Sequence, residues 1–161
     1  MSSGPARNCV LIIDDDPDLR TLIETIGQVC GVSVLQASDC NEGLSILERE
    51  YGRIKMILLD YFMPGMEPAK CAYAILTKAG SSIPVVLLTA AVDPAARAAE
   101  LKISYWISKP FEASTLKTCW RRTFCHARVR YKTGGIMLDG RAFDLETNGD
   151  ARGWTAPGSL G

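Results

Sequence analysis

Five short apolar runs, each closing near a polar residue and each followed by an amphipathic stretch, limit what this chain can fold into. Cys9 to Ile13 is apolar throughout and stops at Asp14. Ser33 to Ala37 is a second run, and Met56 to Leu59 ends at Asp60. Val85 to Leu88 ends at Thr89, and Tyr105 to Ile107 precedes Lys109-Pro110. The unbroken run Cys9–Ile13 predicts a strand buried on both faces, and the other four read as strands. Between them the period changes to that of a helix. Asp16 is placed to cap a helix whose first turn accepts Pro17, with Leu19, Leu22, Ile23, Ile26 and Val29 at helical spacing and Gly31 as its stop. A second helix carries Leu44, Ile46 and Leu47 to about Tyr51. Pro64, Gly65 and Pro68 predict a loop before a helix over Cys71–Ala79. Asp93-Pro94 opens an alanine-rich helix to about Leu101, and the last helix runs from about Glu112 to His126.

Five βα units over residues 8–127 predict an α/β domain: a five-stranded, doubly wound parallel sheet of the flavodoxin-like type, with five helices. Residues 128–161 form a short C-terminal extension. Within it Ile136 to Leu138, Asp139-Gly140 and Arg141 to Leu145 read as a β-hairpin, because Asp-Gly suits a tight turn. The hairpin faintly resembles the opening strands of a winged-helix output domain. Too few residues follow it for a recognition helix, so no complete output domain is expected here.

Lys plus Arg and Asp plus Glu both number 18, which gives no electrostatic reason to expect a nucleic-acid partner. Lys117, Arg121, Arg122, Arg128, Arg130 and Lys132 read as a solvated face rather than a phosphate-binding stripe. No apolar run approaches the roughly 18 residues of a membrane span, and residues 1–8 lack the apolar core of a secretion signal. A cytoplasmic protein is therefore expected. The six cysteines include no Cys-x-x-Cys pair and read as reduced thiols, mostly small core residues. Cys119, Cys125 and His126 do not have zinc-site spacing.

In an open parallel sheet the site lies beyond the carboxyl ends of the strands. There the predicted order places Asp14, Asp15, Asp60, Thr89 and Lys109. Three carboxylates at one edge repel one another, and a hard divalent cation such as Mg²⁺ relieves that repulsion. A carboxylate can then attack phosphorus to form an acyl phosphate, with Lys109 and Thr89 supplying a cation and a hydroxyl to the transferring group. A plain nucleotide pocket would instead need an amide-rich cradle.

Four motifs carry a family resemblance: Leu11-Ile12-Ile13-Asp14-Asp15-Asp16-Pro17, Leu58-Leu59-Asp60-Tyr61-Phe62-Met63-Pro64-Gly65-Met66, Val86-Leu87-Leu88-Thr89-Ala90 and Lys109-Pro110-Phe111. In order and spacing they resemble the receiver domains of two-component response regulators. The resemblance implies that Asp60 accepts a phosphoryl group. Mg²⁺ would be bound directly by Asp15, through water by Asp14, by Asp60, and by the Phe62 backbone carbonyl. Lys109, before a cis Pro110, would pair with the phosphoryl oxygens, and Thr89 would hydrogen-bond them. Trp106 would stand at the aromatic switch position. The protein would be a phosphorelay switch rather than an enzyme acting on a separate substrate, taking its phosphoryl group from a sensor histidine kinase or phosphotransfer protein. The fourth helix, fifth strand and fifth helix would be the surface for a homodimer.

The chain departs from the family pattern at Tyr61-Phe62, at Glu67-Pro68, at Ala91 and at Lys102-Ile103-Ser104. Phe62 and Ala91 cannot orient a water, so slow loss of the phosphoryl group is expected. Three other readings compete, one of them a non-phosphorylated interaction scaffold, against which the intact Asp60 and Lys109 argue. A haloacid-dehalogenase-type phosphatase also uses a nucleophilic Asp, but needs a second acid where Phe62 stands. A DNA-binding regulator needs an output domain beyond the receiver part.

Overall fold

A computed structural model of the chain describes residues 8–125, 130–132, 135–138 and 141–143. Five parallel strands make one sheet: β1 (Cys9–Ile13), β2 (Ser33–Ala37), β3 (Ile54–Asp60), β4 (Val85–Thr89) and β5 (Tyr105–Ser108), in the order β2-β1-β3-β4-β5. The helices are α1 (Pro17–Cys30), α2 (Cys40–Glu50), α3 (Pro68–Ala79), α4 (Pro94–Glu100) and α5 (Ala113–Cys125). The expected five-stranded α/β fold is therefore present. Contacts along the chain group into two compact units that meet after Leu87.

In the first unit the core is built on β1 and β3. Every residue of β1 is buried, as a strand covered on both faces requires. In β3 only Lys55 is exposed. The reason is a shift of register: Cys9 pairs with Ile54 and Val10 with Met56, so Lys55 is an extra residue that leaves the ladder. This bulge lengthens β3 by two residues before Met56, where the apolar run alone would start it.

The helix ends follow local chemistry. The Asp16 carboxylate accepts from the amides of Asp18 and Leu19, at 2.9 and 3.3 Å. At the other end Gly31 is left-handed, with φ 70°, and the Val32 amide donates to the Gly27 carbonyl at 2.8 Å. Asp39 caps α2 by accepting from the Glu42 amide, and Glu42 reaches back to accept from the amide and hydroxyl of Ser38. Two expectations are corrected. Pro68 is the first residue of α3 rather than part of the preceding loop, because proline fits a helix start as well as a turn. Leu22 and Val29 do not face the core: they are 49% and 74% exposed, and the buried positions of α1 are Ile23, Ile26 and Gly27. At Gly27 the helix presses on β2 and its lead-in, so the inward stripe is centred on the glycine.

The cysteines give a third correction. Cys40 and Cys71 form a disulfide, with Cα atoms 5.9 Å apart, whereas the sequence reads as reduced thiols throughout. They are 31 residues apart and meet because α2 and α3 pack side by side. Cys9 and Cys119 do behave as small core residues. Burial pushes the Cys119 thiol up to about 12 and raises that of Cys9.

In the second unit α4 is capped by Asp93, whose carboxylate accepts from the Ala96 amide at 2.9 Å. It ends at Glu100, and just beyond it Lys102 holds a left-handed conformation (φ 57°) while the Ile103 amide donates to the Ala98 carbonyl. Lysine thus occupies a backbone position that favours glycine. Three short strands follow: β6 (Arg130–Lys132), β7 (Gly135–Leu138) and β8 (Arg141–Phe143). They form an antiparallel sheet in which Leu138 pairs with Arg141. The Asp139-Gly140 turn and residues 144–161 lie outside the described residues, as does His126.

Gly27 yields a prediction with an unusual sign. Alanine normally gains on glycine inside a helix. A Cβ at Gly27 would stand 2.8 Å from the Val32 carbonyl oxygen and 2.7 Å from Val34 Cγ2. Gly27→Ala is therefore expected to destabilise the protein by about 1–3 kcal/mol. Urea unfolding measures this, and equal or greater stability would show that α1 can move away from β2.

Candidate functional site

The parallel register of β1 and β3 builds the acidic part of the site. Ile13 pairs with Leu59, so the next residue on each strand is a carboxylate, Asp14 on one and Asp60 on the other. Neighbouring strands lie about 4.8 Å apart, which brings the two acids side by side. Asp15 follows directly. One carboxylate oxygen from each of Asp14, Asp15 and Asp60 lies within 4.8 Å of the others. Asp14 and Asp60 are buried, and Asp15 is exposed.

The cluster is held by backbone contacts. The Asp14 amide donates to the Ala37 carbonyl of β2 at 3.1 Å. Asp14 Oδ1 accepts from the Asp16 amide at 2.9 Å, which commits one carboxylate oxygen to the turn. Arg20 Nη1 donates to the Asp14 carbonyl at 2.7 Å, while Arg20 Nε donates to Gln36 Oε1 at 3.3 Å. Gln36 Nε2 in turn donates to Glu24 Oε2 at 2.7 Å. Sequence reasoning passed over Arg20. Its signal was position: one turn past the Asp16 cap, a long basic side chain can return over the end of β1.

Three oxygens at this separation suit a small hard cation. Ligands opposite each other on Mg²⁺ are about 4.2 Å apart, so small side-chain movements bring this set into range. The donor set is all oxygen and carries no thiol or imidazole, which favours Mg²⁺ over zinc. Phe62, whose carbonyl is the fourth expected ligand, follows in the loop. Its ring is 59% exposed and meets Tyr61 edge-on, with centroids 4.6 Å apart.

The other expected residues belong to the second unit. Thr89 ends β4 and is buried; its Oγ1 accepts from the Ala91 amide at 3.1 Å, which leaves the hydroxyl hydrogen to donate elsewhere. The Lys109 amide donates to the Thr89 carbonyl at 2.8 Å. The Lys109–Pro110 bond is cis, as expected. Trp106 is half-buried, and alternation along β5 turns it away from the buried Tyr105 and Ile107. Among the described residues no helix is long and apolar enough to cross a membrane.

A parallel sheet with three carboxylates gathered at its carboxyl edge defines an α/β protein whose acidic cluster could hold a cation. Residues 10–121 match the response regulator receiver domain, and the chain belongs to that family. It is the receiver domain of a two-component response regulator. Among curated relatives, a "probable transcriptional regulator ycf27" of Porphyridium aerugineum is 31% identical over 110 residues, covering 67% of this chain and 44% of that protein. The chain thus spans less than half the length of the ycf27 relatives. A CheY-like receiver domain protein from Methanospirillum hungatei superposes with a TM-score of 0.62 at 30% identity, covering 74% of this chain and 94% of that one. The receiver domain of Saccharomyces cerevisiae Ssk1, solved with the phosphotransfer protein Ypd1, has a TM-score of 0.63 at 16% identity and covers 74% and 90% of the two chains, a likeness of fold.

The Arg20 contacts can be tested without any ligand. Arg20→Ala removes a charged donor from the Asp14 carbonyl and is expected to cost about 1–2 kcal/mol. Arg20→Lys should recover part of it. Chemical denaturation reads both, and a neutral Arg20→Ala would show that the end of β1 does not depend on this contact.

Proposed function

We propose that Asp60 is the phosphoacceptor of this receiver domain, working with Mg²⁺ at Asp14, Asp15, Asp60 and the Phe62 carbonyl. The observation that carries this reading is the in-step ending of β1 and β3, which gathers the three carboxylates. When bound, the cation neutralises the acidic edge and draws charge from the phosphoryl oxygens. An Asp60 oxygen attacks phosphorus, and the bond from phosphorus to the donor, a phosphohistidine nitrogen or an acyl oxygen, breaks as the new P–O bond forms. Lys109 supplies a fixed positive charge, and Thr89 donates its hydroxyl hydrogen to a phosphoryl oxygen. The protein thereby transfers a phosphoryl group to itself.

The partner is a sensor histidine kinase or a phosphotransfer protein. The complex of Ssk1 with Ypd1 supports the second kind of donor by analogy of fold. Trp106 is the switch residue, reporting the state of Thr89 to the α4-β5-α5 face, where a second copy docks. The receiver occupies residues 8–127 with 128–161 as an extension, and works in the cytoplasm. The ycf27 relatives, described as transcriptional regulators, support the alternative that it is the receiver part of a DNA-binding regulator. The dehalogenase-type phosphatase is disfavoured by Phe62, which cannot serve as the second acid.

Incubation with Mg²⁺ and a small acyl phosphate should add one phosphoryl mass, alkali-labile and absent from Asp60→Asn. Full labelling of Asp60→Asn would overturn the assignment. The exposed Phe62 ring also sets an expectation for the reverse step. Hydrolysis needs water in line with the Asp60–phosphorus bond, and this ring stands close to Asp60 in sequence without a group to orient water. Phe62→Asn should therefore speed decay of the phosphorylated protein. An unchanged or slower decay would show that Phe62 does not govern water.

A further inference from the structure

The α2–α3 pair holds two cysteines that phosphotransfer does not use. Cys40 is the first residue of α2, next to its Asp39 cap. Cys71 lies at the end of the first turn of α3, and its amide donates to the Glu67 carbonyl at 3.0 Å. That bond is where the loop 61–67, which carries Phe62 away from Asp60, becomes helix. Both cysteines are 3% exposed. The helices run side by side in the same direction. At the far end Lys78 pairs with Glu48 at 3.2 Å, and the Tyr51 hydroxyl donates to the Ala79 carbonyl at 3.1 Å. Those two contacts are non-covalent. The near end, beside the Asp60 loop, is joined through Cys40 and Cys71.

We propose that Cys40 and Cys71 are a reversible oxidation site whose disulfide fastens the first turn of α3 to the start of α2 and so steadies the loop that follows Asp60. The 31-residue separation means the bridge encloses β3, Asp60 and Phe62 in one covalent ring. The oxidant class is a hydroperoxide. One thiolate attacks the peroxide and becomes a sulfenic acid as the O–O bond breaks; the second thiol displaces water from that sulfur. Two thiols and hydrogen peroxide give one disulfide and two waters. Burial does not separate Cys40 and Cys71 from Cys9 and Cys119; pairing does, since Cys40 and Cys71 are the two joined side chains, whereas Cys9, Cys30 and Cys119 are unbridged. Reversibility alone rests on the cytoplasmic placement proposed above, since bridges in a reducing compartment are transient and redox-sensing.

The test compares full-length protein reduced with dithiothreitol and then treated with hydrogen peroxide. Free thiols are blocked with N-ethylmaleimide, and peptides are mapped without reduction. A Cys40–Cys71 peptide is expected after peroxide and lost again on reduction, with fragmentation distinguishing Cys40 from Cys30. Hydrogen exchange of amides 61–71 should be several-fold slower in the oxidised form. Its melting temperature should rise by about 5 °C or more, as closing a ring of this length in the unfolded chain implies. Cys40→Ala/Cys71→Ala should abolish both differences. A bridge formed to Cys30 or Cys125 instead, or equal exchange over 61–71 in the two states, overturns the proposal. Asp60 labelling by acyl phosphate is followed in the same samples: its failure beside a formed bridge would retire the phosphoacceptor reading and leave the redox site standing.

Discussion

Two neighbouring parallel strands, held in step so that Ile13 lies opposite Leu59, leave their next residues no choice but to be adjacent. Both are aspartates, and both are buried. A pair of carboxylates in that position is unfavourable unless the strands are fixed by something stronger than the repulsion. What fixes them is the apolar surface of β1 and β3, buried on both faces except at Lys55. The core thus does two things at once: it stabilises the domain, and it forces together groups that would otherwise separate.

Helix packing reaches the same point from behind. A Cβ at Gly43 would lie 2.5 Å from Ile13 Cδ1, so α2 can sit directly on the residue before Asp14 only because it presents no side chain there. Arg20 holds the Asp14 carbonyl from α1, and the Ala37 carbonyl of β2 receives its amide. Asp14 is therefore located by three elements, while the neighbouring Asp15 is left exposed and adjustable. One carboxylate of the cluster is thus buried and tied to its neighbours, and another is open to solvent.

The central strands β1 and β4 were legible in the sequence because strands buried on both faces write themselves as unbroken apolar runs. Helix caps were legible for a similar reason: Asp16, Pro17 and Gly31 each suit one backbone role. The misreadings came where one residue type serves two purposes. Pro68 can end a turn or begin a helix, and Leu22 and Val29 share the helical spacing of core residues without facing inward. Lys55 shows the limit of pattern reading, since its bulge is set by the partner strand rather than by its own neighbours. The Cys40–Cys71 contact was invisible because local spacing carries no information about residues on two different helices. The carboxylates of the site were found from strand ends alone. Thr89 and Lys109 were read from the strand ends as a hydroxyl and a cation, while the roles of Phe62 and Trp106 came from the family motifs.

The placement of the tryptophans gives the molecule an optical consequence. Trp120 is almost wholly enclosed on α5, and Trp106 is half-open on β5. An indole in dry surroundings emits toward the blue and is sheltered from dissolved quenchers; one at the surface emits toward the red and is not. With the third tryptophan replaced (Trp154→Phe), iodide or acrylamide should therefore quench Trp106 while leaving Trp120, dividing the remaining emission into a steady reference and a variable channel. Any rearrangement of β5 would change the ratio of the two colours without a label being attached.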